Sequence, residues 1–162
     1  MGNLVSKTNF GKLLLFTILI FLIGCRSNTL FEVIDPSYSG VHFNNRIIEN
    51  DSINPLDLPN IYNGGGVGIA DFNNDGLLDI YFTGNQVPNK LYINKGNFHC
   101  QDETEITGVG GEKRWSRGVT TVDINNDGWM DIYVSCTILN DPGNRRNLLY
   151  INKGISENGV LR

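Results

Sequence analysis

The chain has 162 residues, 40% of them hydrophobic and 19% charged, with a formal net charge of −4. That balance suits a globular fold and argues against a phosphate-binding surface, which needs a basic face. The only histidines, His42 and His99, fall in no triad, H-E-x-x-H or zinc spacing.

Residues 1–24 have the parts of a secretion signal: Lys7 and Lys12, an apolar run over Leu13–Ile23, then Gly24 and Cys25. The run is too short for a bilayer span, which needs about 20 apolar residues. Leu22-Ile23-Gly24-Cys25 resembles the bacterial lipobox. The resemblance implies cleavage before Cys25, a lipid on its sulfur, and a short tether over 25–30. Met1-Gly2-Asn3-Leu4-Val5-Ser6 also fits an N-myristoylation pattern. That modification belongs to cytoplasmic proteins and conflicts with the secretion signal. Losing Lys7 and Lys12 with the leader takes the charge from −4 to −6. The expected location is the bacterial cell envelope, lipid-anchored. Arg26, standing where a retaining Asp would sit, favours the outer membrane.

The mature part is organised around two nine-residue loops. Asp71-Phe72-Asn73-Asn74-Asp75-Gly76-Leu77-Leu78-Asp79 and Asp123-Ile124-Asn125-Asn126-Asp127-Gly128-Trp129-Met130-Asp131 both read D-x-N-x-D-G-x-x-D. Three carboxylates in nine residues repel one another unless a cation lies between them. A hard cation that takes six to eight oxygens at roughly 2.3–2.6 Å meets that need, and calcium fits better than magnesium, which demands stricter geometry. The predicted ligands are the side chains of Asp71, Asn73, Asp75 and Asp79, the carbonyl of Leu77, and one water. The second set is Asp123, Asn125, Asp127 and Asp131 with the carbonyl of Trp129. Two structural calcium ions are therefore expected. An EF-hand would need a bidentate Glu at position 12 and flanking helices. Position 12 is Phe82 or Val134, and both lie in strand-favouring runs. The simpler alternative, a pair of Asn-Asp-Gly turns with solvated acids, loses force because the same ligand set occurs twice.

The match extends beyond the loops. Gly66-Val67-Gly68-Ile69-Ala70 precedes the first and Gly118-Val119-Thr120-Thr121-Val122 the second; Asp-Ile-Tyr comes after each. Tyr92-Ile93-Asn94-Lys95-Gly96 then recurs as Tyr150-Ile151-Asn152-Lys153-Gly154. The offset grows from 52 at the loops to 58 at this later segment, so six residues enter around 139–146. A period near fifty with several short strands per unit predicts propeller blades. The expected strands are 66–71, 79–84, 90–94 and 98–103, then 118–123, 131–137 and 148–152. Val67 and Ile69 should share a face, as should Ile80 and Phe82, with Tyr81 on the other. No segment beyond the N-terminus shows a helical period.

These residues resemble the FG-GAP/VCBS repeat family, in particular bacterial VCBS lipoproteins of the ASPIC/UnbV-associated type. Tyr62–Gly76 and Gly111–Gly118 carry the likeness beside the paired loops, and it covers about residues 31–162. It implies an all-β fold of two FG-GAP/VCBS propeller blades, an incomplete propeller, with the calcium loop between the first two strands of each blade. The expected division is leader 1–24, tether 25–30, first repeat with its N-terminal segment 31–110, and second repeat 111–162. Family propellers usually have about seven blades. A truncated reading frame is the simpler account of two, and assembly of several copies the other.

No catalytic residue is predicted. Asp102, Glu103 and Glu105 are read as exposed charge rather than a glycosidase pair. The expected role is a non-enzymatic interaction module that binds a protein or glycan, not nucleic acid, and contacts the membrane through lipid on Cys25. An accessory propeller of a larger envelope enzyme or nutrient-capture system, and a non-functional fragment, are the alternatives. Cys100 and Cys136 are expected as two small buried thiols in preference to a disulfide, and Trp115 as packing between blades.

Overall fold

The computed structural model describes residues 29–112, 114–137, 142–157 and 161. The leader 1–24, Cys25 and the tether up to residue 28 lie outside the described residues, as does part of the insertion. The chain divides into two units, Met1–Val33 and Ile34–Arg162. Of the first unit, only 29–33 are described; they form neither helix nor strand, and Leu30, Phe31 and Val33 are exposed. The second unit holds both repeats.

Two antiparallel sheets form there in chain order. The first contains β1 (Val67–Ala70), β2 (Asp79–Phe82), β3 (Lys90–Asn94) and β4 (Cys100–Asp102); the second contains β5 (Ser116–Val122), β6 (Asp131–Cys136) and β7 (Leu148–Tyr150). β2, β5 and β6 fall where β-branched and aromatic residues cluster. All seven expected strands are present, most trimmed by one to three residues. Each acid-rich loop connects the first two strands of its sheet. Position 12 of each loop therefore lies in β2 or β6, and strands rather than helices flank both loops, which excludes the EF-hand.

Among the described residues, two four-residue α-helices have no counterpart among the expected elements: α1 (Pro36–Ser39) and α2 (Thr104–Thr107). Each is one turn long, too short to leave a period in the sequence. Both end on a left-handed glycine, Gly40 (φ 73°) or Gly108 (φ 70°), whose N–H closes the turn. Both begin beside an aspartate: Asp35 accepts the N–H of Ser37 at 2.7 Å, and Asp102 that of Thr104 at 3.0 Å. After α1 the chain crosses the first sheet. Phe43 stacks on Phe82 with ring centroids 4.9 Å apart, and the N–H of His42 donates to the Tyr92 hydroxyl at 3.3 Å.

Strand register decides which face meets which. Val67 pairs with Phe82 and Ile69 with Ile80, as alternation predicts, and Gly68 pairs with Tyr81. The Tyr81 face, with Ala70, Leu91 and Ile93, packs against Ile132 and Val134 of the second sheet. In repeat terms, position 81 of one unit meets position 80 of the next (Ile132 corresponds to Ile80). The sheets thus stack head to tail, with different positions of one motif filling the two sides. Tyr81 is fully buried, whereas its counterpart Tyr133 is 40% exposed. Val67 and Ile69, on the opposite face of the first sheet, are both exposed.

The stack is close, which explains the glycines around the start of β1. A Cβ on Gly66 would lie 2.8 Å from the carbonyl oxygen of Arg117, and one on Gly68 would lie 3.1 Å from the Thr121 methyl. Backbone hydrogen bonding also crosses the gap. The N–H of Ser116 donates to the Gly84 carbonyl at 3.0 Å, Asn85 Nδ2 to the Ser116 carbonyl at 2.8 Å, and the Thr83 hydroxyl to the Arg117 carbonyl.

Tyr81 shows how the interior handles a polar tip. Its hydroxyl donates to the Val109 carbonyl at 2.6 Å and accepts from Asn89 Nδ2 at 2.9 Å. Burial pushes the phenol well above the ordinary tyrosine range, with the charge of Tyr150 in the same direction. The folded state therefore holds this proton more tightly than the unfolded chain, where a tyrosine titrates near 10. Stability from this group is complete below about pH 10 and falls as pH rises beyond it. In an alkaline absorbance titration, the Tyr81 phenolate should appear only together with unfolding; a Tyr81→Phe variant identifies its share of the signal.

Both Cys100 and Cys136 are free thiols. Cys136 is buried as expected, but Cys100 is only half-buried at the edge of the first sheet.

Candidate metal centre

Both loops fold through one hydrogen-bond pattern, written by the spacing of their side chains. In the first, the Asp71 carboxylate accepts the N–H of Asp75 at 3.1 Å and that of Gly76 at 2.8 Å. Asn73 Oδ1 accepts the same Asp75 N–H at 3.2 Å, and Asn73 Nδ2 donates to Asp75 Oδ2 at 2.8 Å. Asp75 Oδ1 then accepts the N–H of Leu77 at 2.8 Å. The second loop repeats every step. Asp123 accepts from Asp127 at 3.1 Å and Gly128 at 2.9 Å, Asn125 joins Asp127 through both its amide atoms, and Asp127 accepts from Trp129 at 2.9 Å. The turn requires left-handed backbone at Asn74 (φ 55°) and Gly76 (φ 84°), and at Asn126 (φ 59°) and Gly128 (φ 88°). Asparagine and glycine are the residues that tolerate it.

The ninth position does something different. Asp79 is completely buried at the start of β2. One of its oxygens accepts the N–H of Phe72 at 2.9 Å and the other that of Asn94 at 2.8 Å. Asp131 does the same with Ile124 at 3.0 Å and Asn152 at 2.8 Å. Asp79 clasps its loop to the last residue of β3, and Asp131 clasps its loop to the segment just past β7. Burial pushes the Asp79 carboxyl above its usual range, against the pull of its two N–H donors. The charges of Asp75 and Asp71 push the same way as burial.

The structure thus gathers Asp71, Asn73 and Asp75, and likewise Asp123, Asn125 and Asp127, into exposed to half-buried loop networks. Leu77 and Trp129 enter through their N–H groups, and Asp79 and Asp131 lie beneath. Among the described residues, no three His, Cys, Asp or Glu side chains stand close enough together to hold an ion. The donor set itself is all oxygen and carries three mutually repelling charges, which is the chemistry a hard divalent cation takes. In the present arrangement the Asn73 amide N–H satisfies one Asp75 oxygen. Turning that amide would present its oxygen alongside the carboxylates, at the loss of its 3.2 Å bond from the Asp75 N–H.

Sequence reasoning missed two supporting residues, Asn94 and Asn152. The side chain of Asn94 donates to the Leu78 carbonyl at 3.2 Å and accepts the N–H of Gly96 at 2.9 Å. Asn152 repeats this with Met130 at 3.2 Å and Gly154 at 2.9 Å, and adds a 2.8 Å bond to the carbonyl of Phe72 in the other repeat's loop. Asn74 likewise reaches the Gly128 carbonyl at 3.2 Å. The recurring Tyr-Ile-Asn-Lys-Gly is the available signal; only register shows that its Asn lies beside the loop.

Residues 71–134 match the FG-GAP-like repeat. The matched FG-GAP-like stretch runs from the first loop residue into β6, so it contains both acid-rich loops and much of the stacked interface between sheets. Cartilage acidic protein 1 of Xenopus tropicalis is 36% identical over 74 residues, which is 45% of this chain and 11% of that protein. The chain therefore matches about a tenth of that relative's length. FG-GAP-like repeat domains are in general non-catalytic interaction modules. Of the acids that could imitate a catalytic pair, Asp102 pairs with Lys90 at 2.7 Å and Glu103 with Lys95 at 2.9 Å.

Proposed function

We propose that residues 31–162 form a calcium-stabilised module of β-propeller type, two FG-GAP/VCBS blades long, which binds a protein or glycan partner. On this reading the module is carried to the bacterial cell envelope, favouring the outer membrane, by a lipid on Cys25, and has no nucleic-acid partner. One observation carries the proposal: two loops 52 residues apart close through the same hydrogen bonds, each over a buried aspartate that ties it to the end of β3 or to the segment just past β7. A metal bound by Asp71, Asn73, Asp75, Asp79 and the Leu77 carbonyl, and by the corresponding second set, would neutralise the loop charges and hold that geometry. Such binding adds stability because the unfolded chain has no preformed site.

Isothermal titration of calcium into the full chain should report two sites. Asp75→Ala combined with Asp127→Ala should abolish both; unchanged binding in the double variant rejects the ligand assignment. At a free calcium concentration about 100 times Kd, each site adds about 2.7 kcal/mol to stability, so chelation should lower the melting temperature. Metabolic labelling with a fatty acid should mark the wild-type chain and not Cys25→Ser; label surviving in that variant rejects the anchor.

A second reading, an accessory propeller of a larger envelope enzyme or nutrient-capture system, draws support from the match to only 11% of a longer relative. A catalytic domain in the same full-length protein would favour it.

A further inference from the structure

The stack joins a leading face of the first sheet to a receiving face of the second, and each sheet carries both faces. In the first repeat the leading face holds Tyr81, Leu91 and Ile93, which are 0%, 1% and 1% exposed in the core shared with the second sheet. The same three residues recur in the second repeat as Tyr133, Leu149 and Ile151. Register puts them on one face: Tyr133 pairs with Thr120 on one side and Leu149 on the other, and Ile151 follows two residues later. There they are 40%, 47% and 37% exposed, and Val122, the counterpart of buried Ala70, is exposed as well. Even the polar anchor is repeated. Asn147 Nδ2 donates to the Tyr133 hydroxyl at 2.6 Å, as Asn89 Nδ2 does to that of Tyr81 at 2.9 Å.

The receiving face is also present twice. In the second sheet Val119 and Thr121 lie against Gly66 and Gly68, while Ile132 and Val134 enter the core. Their counterparts in the first sheet are Val67, Ile69, Ile80 and Phe82. Phe43 stacks on Phe82 and covers the β2 part of this face, whereas Val67 and Ile69 on β1 are each 56% exposed. Stacked repeats need a polar outer face at their ends to stay soluble. Here each end presents the apolar half of a contact whose other half stands at the opposite end of the same molecule. Thr120 occupies the place of Gly68. Its side chain denies the closest approach made inside the chain, so a contact between copies is looser than the contact within one.

We infer that the leading face of the second sheet docks on the receiving face of the first sheet in a second copy of this chain. Such a contact is heterologous: it joins different surfaces of the two partners and either closes into a ring or continues as a filament. At the four to eight blades typical of a closed propeller, a ring takes about two to four copies. The inference rests on the sheet stack alone and survives if the loops take no metal and Cys25 takes no lipid.

Sedimentation velocity of the full chain over a concentration series provides the test. The wild-type chain should associate reversibly beyond a monomer. Leu149→Arg on the leading face and Ile69→Arg on the receiving face should each sediment as a monomer. Both positions are exposed, so each variant should keep a cooperative thermal transition. Mixed in equal amounts, the two variants should form a heterodimer and nothing larger, because one intact face of each kind remains. Thr120→Arg, exposed on the same leading face, should substitute for Leu149→Arg throughout. A monomeric wild-type chain overturns the inference. So does association that survives the single variants, the result expected if copies meet through the apolar run Leu13–Ile23, and so does a mixture that fails to recombine.

Discussion

Replacing Asp79 by alanine should cost about 3–5 kcal/mol of folding stability, within the range for two buried donors left unpaired, and the loss should persist with a chelator present. The carboxylate is wholly buried and accepts two backbone N–H groups from separate segments, Phe72 in the loop and Asn94 at the end of β3. Alanine leaves both donors buried without an acceptor, at about 1–3 kcal/mol each. The two segments also lose the side chain that joins them. With a urea m-value of about 1–3 kcal/mol/M, the transition midpoint should fall by more than about 1 M. Asp79→Asn tests the same idea at constant shape, because one amide atom donates where the carboxylate accepted; it should recover less than half of the loss. Asp75→Ala is the contrast. Asp75 is exposed and holds only local loop bonds, so its stability effect should be large in calcium and small in chelator. A loss seen only with calcium bound would show that position 9 acts as a metal ligand alone, and a neutral Asp79→Ala in chelator would rule out the structural clasp.

That division of labour within one motif is only partly legible in the residues. Alternating runs such as Ile80-Tyr81-Phe82 announce the strands, and the doubled spacing announces the repeat, because both signals are local or periodic. Position 9 is legible as an acid next to three other oxygen donors. Its clasp on Asn94 is not, since that contact depends on how far β2 and β3 overlap, which the sequence does not state. The one-turn helices escape for a different reason. Asp35 and Gly40 cap the first turn, and Asp102 and Gly108 flank the second; their meaning appears only when the turn between them closes. Asp102 and Glu103 look like solvated charge in the sequence, yet each meets a lysine of β3 or the turn after it, a pairing set by the β3–β4 register. Trp115 reads as packing, and its burial agrees.

The second large effect separates equivalent positions of the two loops. Phe72 and Ile124 both occupy position 2, and both donate their N–H to a buried position-9 aspartate. Phe72 is 1% exposed and belongs to the core with Leu91 and Ile93, whereas Ile124 is 56% exposed. Phe72→Ala should therefore cost about 3–5 kcal/mol, the usual range for truncating a buried aromatic residue. Ile124→Ala should stay within about 0.5 kcal/mol, as at other surface positions. The difference arises from stacking: the second sheet covers the first loop and presents Asn152, whose side chain bonds the Phe72 carbonyl at 2.8 Å. Asn152→Ala should accordingly weaken the Phe72→Ala effect in a double-mutant cycle, because both residues act across the same inter-repeat contact. Equal losses at Phe72 and Ile124 would mean that position 2 contributes to its own loop alone, and the head-to-tail contact would then not be the source of the asymmetry.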